Sequence, residues 1–444
     1  VIACTGRQPA PAATRALHRW CLFAMAGLGS VPTQADASIA EYVITVDADA
    51  PLVLRGSMRL QAGDTTVWPA RHGNAGAFNE VRCSDGRPAE TLQSGWQIPQ
   101  GCQQVEWDVR TVDLNASPAD ATVPQTGHDP RQGFWLISEA SALLRRSDES
   151  TGIAVRICAS DDCRDSTPLV LPSANQPPLY AAIGARPSLV AQHVAMTIRI
   201  HGERPELPGI DEFPHALAET MVHWGDALGI PASRGIVYDW VWLPPAPDQP
   251  SGFYASAGFD TFVSQLVVSE DPEDQTPARL RSIIWTGAAH EAFHSVSGRL
   301  GADWPAWVNE SLASYFALES ARQRLDAADF AWIDRQYAHY PEAPPLLEAQ
   351  RRYDAGDGSQ RQHFYVVGVH FWRVVAENLD GVGSTQAKLA ELIKQSRGFA
   401  RVDLSDPIAI IRSIEGSGSG AVPLEALCLL DVDHCVGSPT GIAE

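Results

Sequence analysis

The chain has 444 residues, 45% of them apolar and 19% charged, a globular composition long enough for two or three domains with their own cores. Its 53 acidic against 33 basic residues give a net charge of -20, which argues against nucleic acid as a partner. This composition also excludes a disordered chain.

At the N-terminal end Arg15, His18 and Arg19 precede a short apolar run, residues 20–28, followed by Pro32 and Ala35-Asp36-Ala37. That order of charge, apolar run and small-x-small site is how a secretory signal peptide reads, and residues 1–37 are expected to be one. Its removal takes three arginines and Asp36 and leaves a mature charge of -22. No other stretch is apolar enough for a membrane helix, so the mature chain is expected to lack an integral membrane segment. The expected location is secreted or periplasmic, by bacterial-type export.

Residues 38–202 carry short alternating or β-branched segments at 41–46, 104–112, 134–138, 152–158 and 195–201, separated by clusters of Pro, Gly, Asp and Asn. They predict a β-sandwich-like domain. Six cysteines remain after residue 37: Cys83, Cys102, Cys158, Cys163, Cys428 and Cys435. Their clustering suggests the pairs Cys83 with Cys102, Cys158 with Cys163 and Cys428 with Cys435, out of the fifteen connectivities that six cysteines allow. Such bridges suit an oxidising compartment.

Residues 203–214 hold three prolines and a glycine and read as a linker. A helix is expected over about 214–228 and strands near 236–243 and 261–268, with proline-rich 244–250 between them. Next comes a helix opened by Thr276 and Pro277 as N-cap and first-turn proline, with Leu280, Ile283, Ile284 and Gly287 as its apolar stripe and Gly298 as its stop. On it lies His290-Glu291-Ala292-Phe293-His294, an H-E-x-x-H sequence. Histidines four apart project from one helical face and can hold one metal through their ring nitrogens, with Glu291 beside the metal's open position as a general base.

Zinc needs a third protein ligand, and a second helix starting near 303–305 supplies one. Its apolar positions Val308, Leu312, Tyr315 and Phe316 predict a buried face near Glu310. Asn309 and Ser314 are candidates to orient the ligands by hydrogen bonds. The plain alternative is a pair of satisfied histidines and a solvated glutamate.

These residues resemble the gluzincin zinc metallopeptidases, which combine two helical histidines with a downstream helical glutamate. Residues 307–315, W-V-N-E-S-L-A-S-Y, are similar to the W-L-N-E-G-F-A-S-Y segment of the membrane alanyl aminopeptidase family and to P-x-W-L-x-E-G-L-A-x-Y of peptidase-MA-like domains. Fifteen residues between His294 and Glu310, against eighteen usual in the aminopeptidases, favour the second group. The resemblance implies one Zn2+ per chain held by His290, His294 and Glu310, a peptide or protein substrate, and hydrolysis by a zinc-activated water with Glu291 as general base. Tyr365-Val366-Val367-Gly368 is similar to the Y-x-x-G whose tyrosine stabilises the oxyanion in the aminopeptidases, which implies that role for Tyr365. His363, His370, Tyr337, Tyr340 and Tyr353 stay open as alternatives.

One departure stands out. The aminopeptidases carry G-x-M-E-N upstream of the zinc helix, where its glutamate holds the free amine of the substrate; here residues 255–263 read A-S-A-G-F-D-T-F-V, with Asp260 the one acid to stand in. Aminopeptidase and endopeptidase action are therefore both open.

The fold expected is α+β: the β-sandwich-like domain, then a thermolysin-like, mainly helical peptidase domain with a small sheet over 215–415, then a Gly/Ser spacer and tail over 416–444. A binding or scaffold protein with a structural or vestigial zinc site is the competing function.

Overall fold

The computed structural model describes residues 41–431 other than 48, 72–76, 116–120, 122–124, 147–152, 160–168, 173–176, 185, 195, 231–235, 246–248, 270, 272–274, 301–303, 339–342, 380–382 and 400–423. The expected signal peptide, the 416–444 tail apart from its 424–431 helix region, Tyr340, Cys163 and Cys435 lie outside the described residues. The fold is mixed α+β, with several sheets followed by a mainly helical half.

The first half runs β1 (Glu41–Val46), β2 (Val53–Arg59), β3 (Thr66–Pro69), β4 (Phe78–Cys83), β5 (Glu90–Thr91), β6 (Trp96–Gln97), β7 (Gln104–Arg110), β8 (Val112–Asp113), β9 (Gly127–Asp129), β10 (Phe134–Ser138), a single turn α1 (Glu139–Ala142), β11 (Leu144–Arg146), β12 (Ile153–Ala159), β13 (Leu169–Leu171) and β14 (Tyr180–Ile183). Three sheets result, with orders β13-β12-β1-β2-β7-β4, β14-β10-β9-β8 and β11-β3-β6-β5. In β7 the period of two sends Val105, Trp107 and Val109 inward and Gln104, Glu106 and Asp108 toward solvent. Strand β10 is buried along its whole length and shows no such alternation. Cys83 and Cys102 are bridged, tying β4 to the approach to β7, and Cys158 and Cys428 are each disulfide-bonded.

The second half is built on β15 (Leu189–His193), β16 (Met196–His201), α2 (Phe213–Ala227), β17 (Ile236–Trp242), β18 (Gly252–Ala257) and β19 (Thr261–Val267). These five strands form one sheet in the order β15-β16-β17-β19-β18, with β18 antiparallel on the edge. Because β16 pairs in parallel with β17, residues 203–214 and α2 form the crossover within one sheet. Then come α3 (Pro277–Ser297), α4 (Ala306–Arg324), α5 (Ala327–Gln336), α6 (Leu346–Asp354), α7 (Arg361–Asn378), α8 (Thr385–Phe399) and α9 (Leu424–Leu430). No helix among the described residues is long and apolar enough to cross a membrane.

Aromatic side chains set how the helices meet. Phe293 of α3 stacks on Phe316 of α4 at 4.4 Å, with the Trp224 edge 5.6 Å from Phe293, and Trp307 of α4 stacks on Trp372 of α7 at 5.9 Å. A smaller cluster in which Leu136 and Phe134 meet Val241 and Val263 joins the first half to the five-stranded sheet.

In that sheet Asp239, 8% exposed, stands opposite Arg199 and accepts from its Nε and Nη2 at 2.7 Å each, while His201 Nε2 lies 2.8 Å away. Burial alone would raise the carboxyl's pKa, yet His201 and Arg199 hold it below the usual range. A depressed folded pKa stabilises the fold above the unfolded value and is lost as pH falls through the folded one. Asp239→Ala is thus expected to cost about 2 kcal/mol at neutral pH and to flatten the loss of stability below about pH 4. Urea titration of both proteins at several pH values checks this; an unchanged acid slope would rule out the pair as its source.

Candidate metal centre and cleft

Helix α3 starts where Thr276 and Pro277 predict, the Thr276 side chain accepting the Arg279 N–H at 3.4 Å. Phe293 turns into the helical core, and His290 and His294, four residues apart, share the face beside it. Helix α4 begins after Pro305 and brings Glu310, 9% exposed, over them.

His290 Nε2 and His294 Nε2 lie 3.0 Å apart, and Glu310 Oε2 is 3.3 Å from the first and 3.4 Å from the second. Bonds of about 2.0–2.2 Å to a tetrahedral zinc would set ligand atoms about 3.3–3.6 Å apart, so the three donors already stand near the edges of such a site. Two nitrogens and one oxygen are also a donor set that zinc uses in catalytic centres. Among the described residues this trio is the group of His, Cys, Asp and Glu side chains close enough to share an ion.

The surrounding polar atoms fix the orientation of these donors. Ser314 Oγ lies 3.1 Å from His290 Nδ1, so a proton held there leaves Nε2 as the free lone pair. Asn309 is engaged elsewhere: its amide donates to the Trp304 carbonyl at 3.0 Å, closing the turn before α4. Arg361, at the first position of α7, donates to Glu310 Oε1 from Nη2 at 2.6 Å and from Nε at 3.2 Å. One oxygen of Glu310 is thereby occupied and the other left facing the histidines. Burial would raise the Glu310 carboxyl's pKa, but the polar contacts with both histidines and the charge of Arg361 hold it well below the usual range. For His294 burial works downward, and Glu310 outweighs it and raises the imidazole.

Nothing in the sequence reading singled out Arg361. Its signal is positional, since it sits four residues before Tyr365 and so on the same face of α7. The Arg361 guanidinium lies 5.9 Å from the Tyr365 ring centre, and that ring meets His290 edge-on at 5.6 Å. Burial foremost, then the charge of Glu310, push the Tyr365 phenol far up, so it remains a proton donor across the neutral range. Helix α7 comes this close to α4 because Gly368 packs its bare Cα on Ser311, where any Cβ would overlap the serine.

The other candidates point elsewhere. His370 pairs with Glu425 at 2.8 Å, Tyr353 packs edge-on against Phe364 at 5.5 Å, and Tyr337 belongs to a separate apolar cluster with Ile333 and Val369. His363 is buried, which lowers its pKa, and does not line the cleft. Asp260 accepts from Arg299, whose guanidinium also lies over the Phe259 ring at 5.0 Å.

A cleft of about 280 Å³ opens in front of the trio, lined by Glu291, His294, Glu310 and Arg361, and on its far side by Ala255–Ala257 of β18. Strand β18 reaches α3 because Gly287 leaves room for the Phe253 ring, which would overlap any Cβ there. One wall comes from the first half of the chain: Pro177 and Pro178. This wall is clamped from both sides. Pro178 accepts the Phe259 N–H at 3.0 Å, Tyr180 Oη lies 2.9 Å from Ser256 Oγ, and the Leu179 N–H donates to Glu139 at 2.7 Å while the Glu139 N–H returns to the Leu179 carbonyl at 2.8 Å. Glu139 is fully buried and balanced by Arg71 at 3.0 Å and Arg145 at 2.6 Å.

Solved structures share this fold. An aminopeptidase N family protein from Idiomarina loihiensis superposes with a TM-score of 0.64 at 11% identity, covering 88% of this chain and 76% of its own. Legionella pneumophila aminopeptidase A, solved with aspartic acid, superposes with a TM-score of 0.51 at 13% identity over 88% of this chain, which spans about half (49%) of that one. No family model matches the chain, and no curated protein matches it in sequence.

Proposed function

We propose that the protein is an exported, zinc-dependent metallopeptidase. The observation that carries this reading is the convergence of His290 Nε2, His294 Nε2 and Glu310 Oε2 within 3.0–3.4 Å of one another, at the edge of a cleft that Glu291 also lines. The fold shared with aminopeptidase structures supports it. The disulfide-bonded cysteines support export, because such bridges persist in oxidising compartments.

His290, His294 and Glu310 would hold the zinc. When bound, zinc polarises the scissile carbonyl and makes water a nucleophile near neutral pH. Glu291 takes the proton of the attacking water and passes it to the departing amine. The Tyr365 O–H donates toward the oxygen on which negative charge develops, a contribution of about 3 kcal/mol in comparable sites. Ser314 and Arg361 act on the ligands, fixing a ring tautomer and a carboxylate rotamer.

The test is metal content and hydrolysis measured together: one zinc per chain, with cleavage of an internally quenched peptide that ceases on chelation and returns with zinc. A chain that binds zinc and cleaves no peptide would favour a scaffold protein with a vestigial site. Arg361→Ala is expected to weaken zinc about 10- to 100-fold, the usual effect of losing a partner behind a ligand. Competition with a chelator measures it, and Arg361→Lys is expected to recover part of the loss. Equal affinity in all three proteins would show that Glu310 is oriented without Arg361.

A further inference from the structure

We infer that the cleft accepts peptide without gripping a free α-amine, so that the substrates are internal or N-blocked segments. This deepens the peptidase reading above and rests on it. An ammonium group taken out of water costs several kcal/mol and is compensated by carboxylates placed to meet it. Among the described residues lining the cleft, the carboxylates are Glu291 and Glu310. Both oxygens of Glu310 are committed, Oε1 to Arg361 and Oε2 to the histidines. Glu291 is the group that meets the attacking water in the reading above and is taken up by it.

The strand across the cleft offers no charge. Ala255, Ser256 and Ala257 are small and neutral, and the Ser256 hydroxyl is taken up with Tyr180. Two described acids beside the wall segments are committed as well, Glu139 to Arg71 and Arg145, and Asp260 to Arg299. The Asn309 side-chain carbonyl can accept a hydrogen bond but cannot offset a charge. Arg361, whose side chain is 47% exposed, puts a cation in the same lining, and its pair with Glu310 leaves no net negative charge there for an ammonium group. An internal or acylated residue presents a neutral amide instead and meets none of this opposition.

The test uses the zinc-loaded full chain with pairs of internally quenched peptides identical except that one has a free N-terminus and the other an N-acetyl cap. The expected result is cleavage of the capped member at least as fast as the free one, with mass spectrometry finding cuts at interior bonds. A fall of about tenfold or more in kcat/KM on acetylation, or release of single residues from the N-terminus, would overturn the inference. Calorimetry of the same pairs on the zinc-loaded full chain itself separates this from failure of the peptidase reading. If neither member is cleaved, capped peptide binding as tightly as free still supports the inference, and free peptide binding about tenfold tighter overturns it. Neither cleavage nor binding overturns both.

Discussion

Glu291→Gln is expected to lower peptide hydrolysis about 10²- to 10⁴-fold while the chain still binds one zinc. Glutamine preserves the size of the side chain and its place in the cleft wall but cannot accept a proton at neutral pH. The three donors that would hold the metal do not include this residue, so their mutual distances are left as they are. Elemental analysis alongside turnover of a quenched peptide reads both halves of the expectation. Undiminished hydrolysis would remove Glu291 from the chemistry; zinc lost along with activity would mean that it belongs to the ligand set.

Gly368→Leu is expected to destabilise the protein by about 3 kcal/mol, through overpacking of a helix contact with no room to spare. A side chain at that position runs into Ser311, whose hydroxyl accepts from the Trp372 indole at 2.7 Å. Glu310 is the neighbour of Ser311 in α4, and Tyr365 and Arg361 lie one and two turns before Gly368 in α7. Forcing the helices apart therefore disturbs the third donor, its guanidinium partner and the phenol together. Chemical denaturation gives the stability change, and zinc affinity in the surviving folded fraction gives the local one. A variant that is destabilised with unaltered zinc affinity would show that the separation is absorbed elsewhere.

The parts of this protein that were legible in sequence are those whose signals are local. Thr276, Pro277 and the apolar stripe announce α3, and the four-residue step from His290 to His294 fixes their common face; the period of Val308, Leu312 and Tyr315 puts Glu310 on a buried helix. What escaped is non-local or lacks a periodic signature. Strand β18 was not anticipated because Gly-Phe-Tyr-Ala-Ser-Ala is half-buried almost throughout and does not alternate. The β15 strand and the parallel joining of β16 to β17 depend on a crossover that no window of neighbouring residues contains. Arg361 looks like any solvated arginine at a helix start until a partner 51 residues earlier in the chain is brought to it.

The Pro177–Pro178 wall has a consequence for how such a protein can change. The side chains proposed to carry out the chemistry all follow residue 289, whereas part of what decides which substrate fits is encoded more than a hundred residues earlier. Changes in that earlier segment would reshape the cleft and leave the His290, His294 and Glu310 side chains untouched. The same division makes the halves mutually dependent: a fragment starting at residue 203 would keep the three donors but lose a wall of its cleft and two of the five strands beneath it.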